Sequence, residues 1–227
     1  MTDQSKVYLG RWDEKILINL MLLFLLFFTI FLVPIFPIGT HRFLFNILIT
    51  ILLLVSVLAM GKGRKILLVI AVAGIALSWL TSLLRMEILE PLSSLLNALF
   101  FVFISISLIV QIAKTKRATV QVILESINGY LLLGLVFSLT VTISMFFRPE
   151  AFGFPHDVPE AQATFSRFGD YLYYSFVNYT TLGYGDITPL VPFAKSLAIL
   201  MSVSGQIYVA VIIAMLVGKY VGAASSE

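Results

Sequence analysis

The sequence contains no cysteine among its 227 residues, and few of its residues are charged. Without cysteine, the chain cannot form a disulfide bond, a thiolate metal site or a cysteine nucleophile. Charged residues make up 12% of the chain, whereas a soluble domain carries about 25%. A formal net charge of +3 gives no sign of a nucleic-acid partner. Because 59% of the residues are hydrophobic and the mean hydropathy is +1.01, the composition indicates a membrane protein.

Long apolar stretches recur along the chain; the last contains Lys195 near its start, and the other five contain no Lys, Arg, Asp or Glu. The stretches cover residues 16–33, 43–60, 66–84, 92–113, 130–147 and 193–218. A helix needs about 20 apolar residues to cross the hydrocarbon core of a bilayer. The predicted fold class is therefore an all-α membrane protein with six transmembrane helices in a lipid bilayer. The first stretch is too long for a typical signal peptide core, so we expect it to remain as a membrane helix.

The basic residues that flank these stretches are divided unequally between the two sides. Of the 15 Lys and Arg residues, ten fall on the side that includes Lys6, Lys114 and Lys219, and five fall on the other. Cytoplasmic loops of membrane proteins carry the excess of Lys and Arg. The sequence therefore predicts a multi-pass protein of the cell membrane with both termini in the cytoplasm.

A short segment between the fourth and fifth stretches has a different pattern. In a helix, one face would carry four apolar residues: Val120, Ile123, Leu124 and Ile127. The pattern predicts an amphipathic helix in the inner interface, with Gly129 permitting a bend into the fifth span. The predicted domains are a four-helix sensor-like transmembrane domain over 1–113, this linker helix over 114–129 and a third domain over 130–227.

The connection between the fifth and sixth stretches carries the most informative motif. Residues 148–169 are mostly polar and contain three prolines, which predicts an irregular outer loop. Residues 170–180 are aromatic and apolar but would be only about 16 Å long as a helix. This length predicts a re-entrant half-helix, which requires protein or a water-filled cavity around it. Thr181-Leu182-Gly183-Tyr184-Gly185 follows directly.

The residue types in this run suit a dehydrated cation. Such an ion needs a cage of oxygens in place of its water shell, and backbone carbonyls can supply it if successive carbonyls point the same way. That arrangement requires left-handed conformations, which Gly183 and Gly185 adopt at little steric cost. Thr181 adds a hydroxyl oxygen at the inner end, and the C-terminal end of the half-helix favours a cation nearby.

The run Thr181 to Asp186 resembles the selectivity filter of potassium channels, whose consensus is Thr-Val-Gly-Tyr-Gly-Asp; Leu182 replaces the commoner valine. The whole arrangement is similar to the six-span superfamily that includes voltage-gated channels, of prokaryotic type. The resemblance implies K⁺ binding by the carbonyls of Thr181, Leu182, Gly183 and Tyr184 and by the Thr181 hydroxyl. It also implies a homotetramer around the pore axis, with K⁺ as the permeant ion and no other cofactor.

The resemblance extends to residues that would support the filter. In relatives, the acidic residue at the position of Asp186 bonds to an aromatic residue of the half-helix. Tyr173 and Tyr174 stand where many relatives carry a tryptophan pair, and Tyr173 is the candidate partner of Asp186. Tyr174 and Thr180 are further candidate supports.

The predicted sixth span contributes candidates for the pore lining and the gate. Gly205 matches the position of the hinge glycine of relatives, but it could equally permit close packing against the half-helix. Four residues fall on one face and are candidates for the pore lining: Gln206, Val209, Ile213 and Val217. A ring of Ile213 or Val217 side chains could gate the pore by dewetting.

Residues 92–113 contain no basic residue, whereas voltage-gated relatives carry arginines at every third position there. Moving one charge across the membrane is worth ~2.3 kcal/mol per 100 mV, so steep voltage sensing is not expected.

The predicted function is a potassium-selective channel subunit that conducts K⁺ passively; the alternative is a non-selective cation channel of the same architecture. An enzyme is not predicted, because no span carries a carboxylate and the two histidines lie in separate outer loops.

Overall fold

The computed structural model describes residues 3–36, 38–60, 64–84, 89–115, 117–154 and 167–224. Within these ranges lie α-helices numbered in chain order: α1 Asp3–Phe27, α2 Ile38–Ala59, α3 Arg64–Leu83, α4 Glu90–Lys114, α5 Val120–Phe147, α6 Phe168–Tyr179 and α7 Pro192–Ala224. Part of the predicted outer loop, residues 155–166, lies outside the described residues, as do Lys62, Arg85 and Lys116, on which the predicted orientation partly rests.

A helix lies at each of the six predicted spans. In the described part of the chain, five helical segments are long and apolar enough to cross a membrane. The corresponding segment of α2, Phe43–Ala59, is apolar but shorter. These helices support a multi-pass, all-α membrane protein.

The first span does not end as a regular α-helix. After α1, the chain forms a π-helical turn over Phe28–Leu32 and a 3₁₀ turn over Val33–Ile35. Pro34 has no N–H to donate, and its ring would clash with the carbonyl of Ile30 in a regular α-helix. Widening of the helix before a proline relieves this clash.

The first four helices share one apolar core with α5. Its most buried members include Leu22, Leu26, Leu53, Phe101, Ile104, Leu132 and Leu135. The ring of Phe45 on α2 also lies 4.4 Å from the ring of Phe168 at the start of α6. Between membrane helices such packing stabilises through close van der Waals contact rather than through exclusion of water. Helices α1, α2 and α4 therefore pack against α5 or α6 of the same chain, and α3 packs against α2 and α4.

Buried hydrogen bonds join different helices of the bundle. Asn97 Nδ2 on α4 donates to Ser78 Oγ on α3 at 3.1 Å. Asn128 Nδ2 on α5 donates to the carbonyl oxygen of Asn19 on α1 at 2.9 Å. An unpaired polar group in the hydrocarbon region is costly, so these bonds allow buried amides inside the helix bundle.

The segment predicted as a separate interfacial linker belongs to the fifth helix instead. Helix α4 ends at Lys114, and α5 begins at Val120 and continues through Gly129 to Phe147. Thr119 caps its start by accepting a hydrogen bond from Val122 N at 3.4 Å. The helix is therefore not interrupted at Gly129, where the sequence predicted a bend between a linker helix and the fifth span. A β-carbon at Gly129 would lie 2.4 Å from the Tyr208 hydroxyl oxygen, so glycine makes room for a neighbouring side chain here.

The polar face of this segment is buried rather than exposed. Gln121, Glu125 and Asn128 are buried, whereas Ile123 and Ile127 are exposed. Gln121 Nε2 donates to Glu125 Oε1 at 2.7 Å, which partly compensates for burial of the carboxylate. The helical spacing identified from the sequence is correct, and the structure shows that the polar face packs against the rest of the chain.

A short antiparallel pair of strands joins the two ends of the connection between α5 and α7. Strand β1, Phe152–Gly153, follows α5, and β2, Thr188–Pro189, precedes α7. Phe152 pairs with Pro189, and Leu190 N donates to the carbonyl oxygen of Ala151 at 2.9 Å. The pairing holds the segment that follows residues 181–186 against the segment that follows the C-terminal end of α5.

Candidate functional site

Helix α6 is the structural base of the candidate site. Its 12 residues correspond to about 18 Å, less than the ~30 Å hydrocarbon core. Buried Tyr171, Leu172 and Tyr179 anchor it in the protein. Thr180 ends the helix: its N–H and its hydroxyl both donate to the carbonyl oxygen of Phe176, at 2.9 and 2.7 Å. The helix is thus a short element whose C-terminal end, with partial negative charge, adjoins Thr181.

The backbone after α6, residues 181–185, is termed the filter segment below. Its φ angle is positive at every second residue: +63° at Thr181, +59° at Gly183 and +78° at Gly185. Leu182 and Tyr184 between them do not have positive φ. Alternation between left- and right-handed conformations turns successive carbonyl groups toward one side of the chain. The filter segment therefore has the backbone pattern that a row of carbonyl ligands requires.

Thr181 adopts the left-handed conformation although it is not glycine. A β-branched residue with positive φ is a genuine outlier, at a cost of roughly 1–2 kcal/mol. Hydrogen bonds around it hold this conformation. Its N–H donates to Asn178 O at 2.9 Å, and the N–H groups of Leu182 and Gly183 both donate to Val177 O, at 2.9 and 3.2 Å. Neither composition nor the glycine spacing indicated this strained threonine.

The C-terminal end of the filter segment is held by Asp186, the residue that follows it. Tyr173 Oη donates to Asp186 Oδ2 at 2.6 Å, and Ile187 N donates to Asp186 Oδ1 at 3.0 Å. The bond from Tyr173 lowers the pKa of Asp186 below its usual value, because it stabilises the carboxylate. The same bond raises the pKa of Tyr173 to about 12. Both shifts favour a charged carboxylate that accepts a bond from a neutral phenol.

The second tyrosine of the pair has a different position. Tyr174 is buried, and its ring lies 4.9 Å from the ring of Phe152 in β1. It is part of the apolar cluster between α5, α6 and α7 and not a partner of Asp186. Tyr173 thus contacts Asp186 directly after the filter segment, whereas Tyr174 anchors α6 to strand β1.

Helix α7 approaches the base of the filter segment closely. Ser202 Oγ donates to Asn178 O at 3.0 Å. A β-carbon at Gly205 would lie 2.0 Å from the carbonyl oxygen of Tyr179. Helix α7 continues through Gly205 without interruption. Of the two interpretations of Gly205, hinge or close packing, the structure supports close packing.

The other pore-lining candidates share one face of α7. Gln206 is exposed, and Val209, Ile213 and Val217 are 41%, 55% and 56% exposed in the single chain. Tyr208 and Ile212 on the opposite face are buried against α4 and α5. Gln206 Nε2 also lies 3.1 Å from Thr181 Oγ1, so the candidate lining begins at the filter segment itself.

Oxygen atoms of the filter segment are the available ligands for a cation here. Within the described ranges, no group of three or more His, Cys, Asp or Glu side chains could hold a metal ion. The filter segment instead offers backbone carbonyls and the Thr181 hydroxyl, which are ligands that suit a large monovalent cation.

Residues 129–221 match the family model described as ion channel. The matched segment extends from α5 into α7 and so includes α6 and the filter segment. No curated protein and no solved structure matches the chain. Together with the long apolar helices, the family match supports an ion channel that crosses the membrane several times.

Three tyrosines connect the base of α6 to the two long helices of the matched segment. The Tyr130 ring lies 4.6 Å from the ring of Tyr179 and 5.6 Å from that of Tyr208. Tyr208 Oη donates to Ser126 O at 2.8 Å. Offset aromatic contacts of this kind stabilise beyond their buried area. The sequence did not indicate this cluster, because its members are 29 to 78 residues apart.

Lys219 joins the end of α7 to the end of α4. Its Nζ donates to the carbonyl oxygens of Ile112 and Thr115 and lies 3.4 Å from the carbonyl oxygen of Ala113. The last carbonyls of a helix lack partners within the helix and carry partial negative charge. The ammonium group therefore supplies a cap to α4 from a distant helix, a role that the sequence did not reveal.

Proposed function

We propose that the chain is one subunit of a potassium-selective channel that conducts K⁺ passively across the cell membrane. The observation that carries this proposal is the alternation of positive φ at Thr181, Gly183 and Gly185. Carbonyl groups that face one side can replace the hydration shell of an ion only if several chains surround it. One chain supplies one filter segment, so the proposed channel is a homotetramer with four filter segments around the axis.

The proposed ion pathway uses the oxygens of the filter segment in order. The carbonyls of Thr181, Leu182, Gly183 and Tyr184, with the Thr181 hydroxyl, would coordinate K⁺ as it loses water. The C-terminal end of α6 adds a favourable potential at the inner end. In the single chain, Leu182 and Tyr184 are 57% and 67% exposed, which fits side chains that neighbouring subunits would cover.

The proposed orientation places both termini in the cytoplasm and the filter segment toward the outside. This follows the excess of Lys and Arg on the side of the termini. The apolar side chains of Ile213 and Val217 would then line the inner half of the pore, where a ring of them could gate by dewetting.

We do not expect steep voltage gating through α4. Residues 92–113 carry no charge, and Lys114 lies in the last turn of the helix. Each charge moved across the membrane contributes ~2.3 kcal/mol per 100 mV. A helix without charges in its span therefore contributes little free energy that depends on the membrane voltage. A conductance–voltage curve equivalent to several gating charges would contradict this part of the proposal.

Reversal potentials of the purified protein in planar bilayers test the selectivity. With mixtures of K⁺ and Na⁺ in different ratios on the two sides, the reversal potential should lie close to the K⁺ equilibrium value. Equal permeability to the two ions would instead indicate a non-selective cation channel. Gly183→Ala should abolish selective current, because alanine is strained at φ +59°. Gly218→Ala is the matched control, since a β-carbon there meets no atom within 4 Å.

A further inference from the structure

Gln206 is the side chain of α7 that contacts the filter segment. Its Nε2 lies 3.1 Å from Thr181 Oγ1, and Thr181 Oγ1 lies 2.6 Å from the carbonyl oxygen of Thr180. A hydroxyl group has one hydrogen to donate. Because a carbonyl can only accept, that hydrogen belongs to the bond with Thr180. Thr181 Oγ1 therefore accepts from Gln206, which identifies the amide nitrogen as the end that faces the filter segment.

This assignment leaves the amide oxygen of Gln206 as an available acceptor. The side chain is exposed in the single chain and lies on the same face of α7 as Val209, Ile213 and Val217. These three are apolar, so Gln206 differs from them in chemistry. An amide oxygen next to the inner end of a row of carbonyls can replace one of the water molecules of an arriving cation.

The position of Gln206 is set by its neighbours along the helix. Ser202, one turn earlier, donates to Asn178 O at 3.0 Å. The absent side chain of Gly205 lets the backbone of α7 approach the carbonyl oxygen of Tyr179. Both contacts hold this turn of α7 against the C-terminal end of α6. The distance between Gln206 and Thr181 therefore depends on backbone contacts and not on a flexible side chain alone.

We infer that Gln206 forms a cation-binding position at the inner entrance of the filter segment. Its amide nitrogen orients the Thr181 hydroxyl, and its amide oxygen accepts the entering monovalent cation while that ion exchanges water for protein oxygens. The inference rests on the proposed function, since four copies around an axis would form a ring of amide oxygens below the four Thr181 residues. The ligand class is a monovalent cation of the size of K⁺ or Rb⁺.

Single-channel conductance at low and high K⁺ tests this role with the full chain in planar bilayers. Gln206→Leu keeps a side chain of similar size without polar atoms. The substitution should lower the conductance at low K⁺ by about three- to tenfold. This is the range expected when a contact as strong as an ordinary hydrogen bond is lost. The loss should shrink at high K⁺, because a weakened entry position fills at higher concentration. Rb⁺ as the permeant ion should give the same ordering.

Gln206→Glu separates cation binding from a structural role. Glutamate keeps acceptor oxygens and adds negative charge, so conductance at low K⁺ should equal or exceed that of the wild type. Gly218→Ala on the same helix is the control, because a β-carbon there meets no atom within 4 Å, and it should leave the dependence on K⁺ concentration unchanged. Melting temperatures of all variants in detergent identify any that fail to fold.

Each outcome bears on one of the two claims. Wild-type conductance at low K⁺ in Gln206→Leu would overturn the inference while leaving the potassium channel intact. Equal losses in Gln206→Leu and Gln206→Glu would also overturn it, because acceptor oxygens would then make no contribution. Absence of K⁺-selective current in the wild-type chain would contradict the proposed function itself, and the inference with it.

Discussion

Replacing Gly205 with alanine should separate α7 from the base of the filter segment. The added β-carbon would lie 2.0 Å from the carbonyl oxygen of Tyr179, and ordinary van der Waals contact begins at 3.4 Å. The two backbones would have to move apart by about 1.4 Å, the difference between these distances. Because the obstructing atom belongs to the backbone, no side-chain rotation can relieve the clash.

The expected loss of stability follows from two opposing effects. Overpacking costs about 1–3 kcal/mol, and a clash with backbone belongs at the upper end of that range. Alanine recovers about 1 kcal/mol relative to glycine within a helix. The net loss is therefore about 2 kcal/mol, which corresponds to a melting temperature lower by roughly 4–8 °C for a chain of this size.

The same movement should alter conduction. An added separation of this size would lengthen the contact between Gln206 and Thr181 beyond hydrogen-bonding distance, and the bond from Ser202 to Asn178 O with it. Melting of the purified protein in detergent and K⁺ current in bilayers measure the two effects. Gly218→Ala is again the control and should be neutral or slightly stabilising.

Two results would refute this reasoning. If Gly205→Ala melted at the same temperature as Gly218→Ala and conducted K⁺ normally, the close approach would be unimportant. If Gly205→Ala kept both its melting temperature and its selectivity but changed only the probability of opening, Gly205 would act as a hinge.

Further predictions concern the contact of Tyr173 with Asp186 and the contact of Lys219 with the end of α4. Tyr173→Phe removes the bond to Asp186 and should shorten the lifetime of K⁺ current, whereas Tyr174→Phe removes a buried hydroxyl without a partner in the described structure and should have little effect. The pKa of Asp186 is lowered, so the support that it provides should be present above the usual carboxyl pKa and lost as the pH falls through the lowered value. The raised pKa of Tyr173 gives the opposite limit: the support should persist below the usual tyrosine pKa and be lost as the pH rises through about 12. Current recorded against external pH checks both limits, and an identical pH profile for Tyr173→Phe would contradict them. Lys219→Met should lower the melting temperature by roughly 2–4 °C, because a cationic cap on a helix C-terminus contributes about 1 kcal/mol. Lys219→Arg keeps the charge and should melt near the wild type; equal losses in both variants would point to packing instead.

Local features of the sequence were sufficient to predict the helices and the filter segment. Apolar stretches of spanning length became helices, because a membrane permits few other backbone arrangements. The half-helix predicted over 170–180 corresponds to α6, Phe168–Tyr179. The need for left-handed backbone at Gly183 and Gly185 was also predictable, since it depends on the residues themselves.

Contacts between distant segments were not predictable in the same way. The bond from Tyr173 to Asp186 was anticipated only through the family resemblance, which did not distinguish the buried role of Tyr174 from it. The burial of Glu125 and Asn128 depends on neighbouring helices, including α1 through the bond between Asn128 and Asn19, so the helical pattern did not show that the polar face would be buried. Lys219 was counted only as a charge near the membrane surface, although it caps α4.

The sequence by itself therefore determined the class of protein, the helices and the chemistry of the filter segment, because each follows from runs of adjacent residues. The tertiary structure alone showed the close approach of Gly205 to Tyr179, the left-handed conformation of Thr181 and the contact between Gln206 and Thr181. These depend on how closely α6 and α7 approach, which is set by packing across the whole chain and leaves no local pattern in the sequence.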